Sequence, residues 1–181
     1  MKGRWNGSFP LHILVSNNPS IASVKLLIDK RSDVLVKGDV NGSTPLSAAL
    51  RNRAQFHIVQ YLINLNKSVI FLSDKRMNVP LHVACAWGPP SSFNVIKVLV
   101  EESRDTLSFT NADGKTPLDL AQSFSTLLPI QDTIVDYLHK AAYDIGTRQG
   151  KVIDIATVQK STPGNAPNIS KPDYTFIPRC A

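Results

Sequence analysis

Two side chains near the middle of the sequence have the type and spacing to bind a metal. His82 and Cys85 lie three residues apart, so on a helix their imidazole and thiol would project from one face. A stable zinc site usually needs about four ligands, or three and a water molecule, and no other histidine or cysteine lies nearby. We therefore expect no metal here and a structural role for both residues.

Residues suited to catalysis are equally sparse. The sequence has no glycine-rich phosphate-binding loop and no Gly-x-Ser-x-Gly nucleophile elbow. Asp119 and Asp154 could form an acid and base pair, but they occupy matching places in a repeat, which explains their recurrence. We expect no catalytic residue and no cofactor, and hence a protein that is not an enzyme. An enzyme with an unrecognised site stays a remote alternative.

The composition is typical of a folded domain. The 181 residues are 43% hydrophobic and 19% charged, which excludes a wholly disordered chain. No apolar run approaches the roughly 18 residues that span a bilayer, and the first residues lack a secretory stretch. Two cysteines, Cys85 and Cys180, cannot build a disulfide framework. We expect an intracellular protein, cytoplasmic or nuclear, that does not contact a membrane.

The positive charge bears on the choice of partner. The formal net charge is +6 at pH 7, but the excess is spread along the chain and forms no block of like charges. Charge alone allows nucleic-acid binding and does not indicate it. A basic nucleic-acid-binding protein therefore stays an alternative.

A repeat of about 35 residues organises the chain. Pro-Leu occurs at Pro10, Pro45, Pro80 and Pro117, at intervals of 35, 35 and 37 residues. Each proline follows turn chemistry such as Asn-Gly or Asp-Gly and suits the first turn of a helix. Apolar groups typical of a second helix follow at residues 24–28, 59–63, 96–100 and 135–138. Neither helix is stable alone, so stacking predicts an all-α solenoid.

The repeat also predicts the domain organisation. We expect an array over residues 1–160, whose parts are repeats at about 5–38, 39–73, 74–110 and 111–146 and a half-repeat cap at 147–160. The cap is inferred because Leu118 to Ile153 and Ala121 to Ala156 are both 35 residues apart. Residues 161–181 contain four prolines, and we expect a flexible, extended tail there.

These units resemble ankyrin repeats. The motifs at residues 42–49, 79–88 and 113–121 carry the resemblance best, and it covers about residues 5–146. It implies an all-α ankyrin-like repeat solenoid of helix-turn-helix units joined by short hairpins. In the family, a threonine and a histidine brace the turn that begins each inner helix. Here they never occur together, since the turns are Phe9-Pro-Leu-His12, Thr44-Pro-Leu-Ser47, Val79-Pro-Leu-His82 and Thr116-Pro-Leu-Asp119. We therefore expect each brace to be at best half made.

The resemblance also implies a concave binding surface formed by the hairpin tips and the inner helices. The candidate partner-binding residues placed on it are Arg51, Asn52, Lys75, Arg76, Asn78, Trp87, Lys115 and Phe124. Tryptophan and arginine together are typical of binding hot spots. Two alternatives stay open: Trp87 and Phe124 pack beneath neighbouring loops, and the cations form an ordinary solvated face.

We interpret the chain as a non-catalytic interaction module or scaffold. It would bind a protein or peptide on its concave face, as a monomer, and the cations would favour an acidic partner. A further alternative is that the chain is a fragment of a larger multidomain ankyrin protein.

Overall fold

The computed structural model describes residues 7–17, 19–30, 32–87, 92–124 and 129–148. These residues form eight α-helices and no β-strand, so the predicted all-α class is confirmed. Residues 147 and 148 belong to the last helix. The rest of the predicted cap, and the predicted tail at 161–181, lie outside the described residues.

The helices alternate between an inner and an outer row. The inner helices are α1 (Pro10–Val15), α3 (Pro45–Arg51), α5 (Pro80–Trp87) and α7 (Pro117–Phe124). The outer helices are α2 (Ile21–Lys30), α4 (Phe56–Leu65), α6 (Ser92–Glu102) and α8 (Pro129–Arg148). Each inner helix packs on the outer helix that follows it and on the neighbouring inner helices. This arrangement is the predicted helical repeat solenoid.

Each inner helix begins at one of the four repeat prolines. Proline lacks an N–H, and the first N–H groups of a helix have no partner within it, so proline at this position leaves no hydrogen bond unmade. Four residues later, Ala49, Ala84 and Ala121 are almost fully buried. These small side chains let neighbouring inner helices approach closely, which brings the hairpins before them close together as well.

The outer helices contribute apolar stripes to the core. In α4 and α6 the predicted apolar stripes are buried, with Leu62 and Leu99 each 1% exposed. Burial of one such side chain contributes about 1.5–3 kcal/mol. A short 3₁₀ turn, which the sequence analysis did not predict, follows each of the first three outer helices, at Ser32–Leu35, Lys67–Phe71 and Arg104–Ser108.

Three hairpins are organised by the side chain of their first residue. Asp39, Asp74 and Asn111 each accept hydrogen bonds from the backbone N–H groups two and four residues later, at 2.8–3.0 Å. The residue before the last of those donors has positive φ in each hairpin: it is Gly42 or Gly114 in two of them and Met77, with φ 61°, in the third. The carboxylate or amide thus fixes the turn even where glycine is absent.

Adjacent hairpins are joined through their backbones. The Lys75 N–H donates to the Asn41 carbonyl, and the Ala112 N–H donates to the Arg76 carbonyl, both at 2.8 Å. These bonds set the spacing of the second, third and fourth hairpins, and therefore the spacing of the side chains that their tips carry.

The prediction that every turn brace is at best half made is wrong for the fourth repeat. The Thr116 backbone N–H and hydroxyl donate to Asp119 Oδ2 at 2.8 and 2.7 Å, and the Asp119 N–H donates to Thr116 Oγ1 at 3.2 Å. This is a reciprocal capping box, in which aspartate replaces histidine. In the second repeat, Thr44 Oγ1 accepts from the Ser47 N–H at 3.3 Å.

The histidines of the first and third repeats act across repeat boundaries. His12 Nε2 donates to the Ser43 carbonyl at 2.7 Å, and His82 Nε2 donates to the Lys115 carbonyl at 3.0 Å. Ser43 and Lys115 directly precede the threonines of the next repeats. Histidine and threonine therefore alternate along the array, and each histidine anchors the turn that the following threonine caps.

Candidate protein-interaction surface

A small cleft lies where the third and fourth hairpins meet the inner helices. We call it the inner cleft; its volume is about 140 Å³. Residues from α3, α5, α7 and the two hairpins line it: Arg51, Arg76, Asn78, His82, Val83, Ala86, Asn111, Asp113 and Leu120. Its walls are thus drawn from three successive repeats, which only the stacking of the array brings together.

Three of the sequence-predicted residues, Arg51, Arg76 and Asn78, line the inner cleft. Lys75 and Lys115 are exposed on the hairpins and are not among the lining residues. They carry positive charge beside the cleft without forming its walls.

The other predicted residues lie at the ends of inner helices. Asn52 caps α3: its Nδ2 donates to the Ala48 carbonyl at 2.8 Å and to Ser16 Oγ of the first repeat at 2.9 Å. Trp87 and Phe124 are the last residues of α5 and α7, and their side chains lie outside the description. The choice between exposed aromatic anchors and aromatics packed beneath loops therefore stays a prediction.

The two arginines of the cleft are loosely paired. The Arg51 side chain is 35% exposed, and its Nη2 lies 3.8 Å from Asp74 Oδ2. The Arg76 side chain is 73% exposed, and its Nη2 lies 3.4 Å from Asp113 Oδ2. An exposed ion pair such as Arg76–Asp113 contributes about 0–1 kcal/mol, and the 3.8 Å between Arg51 and Asp74 is too long for a hydrogen bond. Neither guanidinium is therefore strongly committed to its intramolecular partner.

Asp74 is held by its own hairpin rather than by arginine. Its carboxylate is 7% exposed and accepts from the backbone N–H groups of Arg76 and Asn78 at 2.9 Å, and from Asn78 Nδ2 at 3.2–3.3 Å. The Asn78 side chain in turn accepts from Asn111 Nδ2 at 3.0 Å. These bonds give the cleft a fixed polar floor that spans two hairpins.

Sequence reasoning placed Asp113 at a hairpin tip of the concave surface but missed the other side chains of the cleft: His82, Val83, Ala86, Asn111 and Leu120. Helical spacing could have found part of this set. Val83 lies three residues before Ala86, so the two share one face of α5, and Leu120 matches Val83 in the next repeat. Asn111 occupies the same place in its repeat as Asp39 and Asp74, so repeat spacing could have indicated its role within the hairpin but not its contact with Asn78.

One comparison with known proteins bears on this array. Residues 1–74 match the family model described as ankyrin repeats, three copies. Residues 1–74 are thus similar to ankyrin repeats. The matched segment holds α1–α4, and α5–α8 continue the same alternation of inner and outer helices beyond it. No curated protein has a sequence that matches the chain.

His82 and Cys85 lie in the core of the helical array. His82 is fully buried, and this burial lowers the pKa of its imidazole below the usual value. Cys85 is also buried, and burial raises the pKa of its thiol, which keeps the thiol protonated. Within the described residues, no three His, Cys, Asp or Glu side chains cluster as a metal site would require.

None of the helices that the structure describes combines the length and the apolar character needed to cross a bilayer. The longest of them, α8, has 20 residues, several of which are charged.

Proposed function

We propose that the chain is a non-catalytic interaction module or scaffold that binds an acidic protein or peptide on the side formed by the hairpin tips and inner helices. Ankyrin repeats are generally protein–protein interaction modules. The observation that carries the proposal here is the inner cleft, where Arg51, Arg76 and Asn78 converge from two repeats. We further propose that the chain acts as a monomer inside the cell, in the cytoplasm or nucleus.

The charge around the inner cleft supports an acidic partner. Four cations, Arg51, Lys75, Arg76 and Lys115, stand against two carboxylates, Asp74 and Asp113, which leaves a local charge of +2. Three of these cations are exposed. An exposed cationic surface accelerates encounter with an acidic partner and disfavours a basic one.

Affinity capture with matched charge reversals tests the proposal. The tagged full chain, its Arg76→Glu variant and its Lys25→Glu variant are compared for retained proteins, which mass spectrometry identifies. Both variants replace a cation by glutamate, so they change the net charge equally. Lys25 is exposed on α2, an outer helix. The partner, once purified, should bind Arg76→Glu at least about tenfold more weakly than wild type, and Lys25→Glu almost normally. Equal affinity for all three chains would refute the proposal.

Salt dependence separates this function from nucleic-acid binding, the alternative that the charge leaves open. For a complex dominated by phosphate contacts, the logarithm of the binding constant falls steeply and linearly with the logarithm of the salt concentration, because binding releases counterions. An acidic protein partner that pairs with the few cations of the cleft and also packs against its apolar walls should show a shallower slope. The same titration on the purified partner and on duplex DNA decides between the two.

A further inference from the structure

We propose that the inner cleft receives one glutamate side chain of the bound peptide. The carboxylate would lie between the guanidinium groups of Arg51 and Arg76, and the methylene groups would pack against Val83, Ala86 and Leu120. This assignment rests on the proposed function and names the side chain that the same surface selects.

Both guanidinium groups have N–H donors that a ligand can use. Each arginine carries five N–H donors. The Arg51–Asp74 distance of 3.8 Å is too long for a hydrogen bond, and the Arg76–Asp113 contact of 3.4 Å is at the limit. Asp74 is already supplied with donors by its own turn. A carboxylate from a partner can therefore make shorter, charge-assisted bonds to both arginines without displacing a strong pair.

The size and walls of the cleft fit a side chain with an aliphatic stem. A volume of about 140 Å³ is well below the roughly 300–1,000 Å³ of pockets for larger ligands, so it suits one side chain. Val83 is buried, while Ala86 and Leu120 are half-buried, which leaves apolar surface beside the charged groups. Glutamate has two methylene groups to cover that surface and aspartate has one, which favours glutamate.

The apolar walls favour glutamate over a phosphorylated serine. Asp74 and Asp113 place two negative charges near the arginines. A phosphorylated side chain carries a charge of about −1.5 to −2 at neutral pH, so these carboxylates repel it more than glutamate while the cations attract it more, and charge does not choose between them. Serine offers one methylene group to the apolar walls and glutamate offers two, which favours glutamate.

The cleft is organised before any ligand enters. The backbone N–H groups of Arg76 and Asn78 are fixed by Asp74, and the Asn78 and Asn111 amides join the two hairpins at 3.0 Å. Binding therefore loses no free energy to ordering of the hairpins, so a few contacts can give a higher affinity.

A peptide selection on the full chain tests the assignment. Three sublibraries of random peptides are used that differ only in one fixed central residue: glutamate, glutamine or phosphoserine. We expect the glutamate sublibrary to be retained best. Its strongest peptide should bind Arg51→Gln and Arg76→Gln about tenfold more weakly, and should bind Lys25→Gln, a charge-matched control on the outer face, as it binds wild type. Circular dichroism checks that each variant is folded.

Asp113→Asn supplies the opposite arm of the test. It removes the carboxylate that pairs with Arg76, so the glutamate peptide should bind about threefold more tightly. A purely structural role for this exposed side chain would produce no such gain.

The results that overturn the glutamate site differ from those that overturn the proposed function. Equal retention of the glutamate and glutamine sublibraries, strongest retention of phosphoserine, or no retention from any sublibrary would each overturn the glutamate site. The proposed function would survive those results if the captured protein partner still lost affinity in Arg76→Glu. If that partner bound Arg76→Glu normally, both would fail.

Discussion

His82 has a side chain that could bind a metal or transfer a proton, but in this array its role is structural. Its Nε2 donates to the Lys115 carbonyl across a repeat boundary, while its Nδ1 is buried without a hydrogen-bond partner among the described residues. A proton added at Nδ1 would place a charge in a buried site. Burial is the largest influence and lowers the pKa; the backbone carbonyls of Lys115 and Phe109 and, to a smaller extent, the carboxylates of Asp74 and Asp119 oppose it only in part.

This lowered pKa predicts that the array loses stability in mild acid. In the unfolded chain the imidazole titrates near its usual value of about 6.5, whereas in the folded chain it resists protonation. Stability from this group is therefore complete above about pH 6.5 and declines as the pH falls below it, by at most about 1.4 kcal/mol per pH unit. Urea unfolding at pH 7.5 and pH 5.5 measures the difference.

A matched pair of variants assigns the effect to this histidine. In His82→Gln the amide can still donate to the Lys115 carbonyl but does not titrate, so the stability difference between the two pH values should shrink. His57→Gln removes an exposed histidine of α4 and should leave the difference unchanged. An identical pH dependence in His82→Gln and wild type would contradict the account.

At the residue scale, sequence reasoning was correct about the burial of His82 and Cys85 and wrong about the turn at Thr116. The spacing of His82 and Cys85, taken with the absence of further ligands, correctly favoured a core role for both. It was wrong about the brace at Thr116, because the expected partner was histidine and the structure uses the carboxylate of Asp119. The capping-box chemistry accepts an acidic side chain three residues after the cap, so the signal was present in the sequence.

At the scale of the helix, the end of α3 carries local strain. Arg53 has φ 59° and follows the C-cap residue Asn52. Its N–H donates to the Leu50 carbonyl, and the Ala54 N–H donates to the Ala49 carbonyl at 2.9 Å. This left-handed position after a helix is the one that glycine usually fills, because a Cβ atom is unfavourable there.

Arg53→Gly should therefore stabilise the array. The left-handed conformation costs a non-glycine residue about 1–2 kcal/mol, and the added flexibility of glycine in the unfolded chain offsets about 0.5–1 kcal/mol of the gain. Since Arg53 is exposed, little packing is lost, and we expect a net gain of about 0.5–1 kcal/mol in urea unfolding. Gln60→Gly, at an exposed site inside α4, should instead lose about 1 kcal/mol. A loss in both variants would contradict the strain argument.

The elements themselves differ in how far the sequence predicts them. Proline at the first helical position and the apolar stripes marked the inner and outer helices directly. The three 3₁₀ turns were missed because four or five residues are too few to show a period. The roles of Asp39, Asp74 and Asn111 in organising the hairpins were not predicted either, because Asn-Gly and Asp-Gly indicate only the tips of the turns.

At the scale of the whole molecule, the repeat predicts the solenoid better than it predicts the binding site. Repetition makes the fold visible because the same pattern returns four times. The inner cleft is not repeated: it needs Arg51 from one repeat, Asn78 from the next and Leu120 from the one after. Which side chains meet there depends on the distance between stacked repeats and on contacts such as that of Asn78 with Asn111. The period of the sequence predicts neither the distance nor the contact.

The central claim is that the partner binds at the inner cleft rather than on the outer helices. The most direct measurement is the change in assigned backbone amide NMR signals when the captured partner is added to the isotope-labelled full chain. We predict the largest changes at Arg76, Asn78, Asn111 and Asp113, with little change at the exposed residues Lys25 and Gln60 of the outer helices. Changes concentrated on α2 and α4, with unperturbed hairpins, would contradict the account.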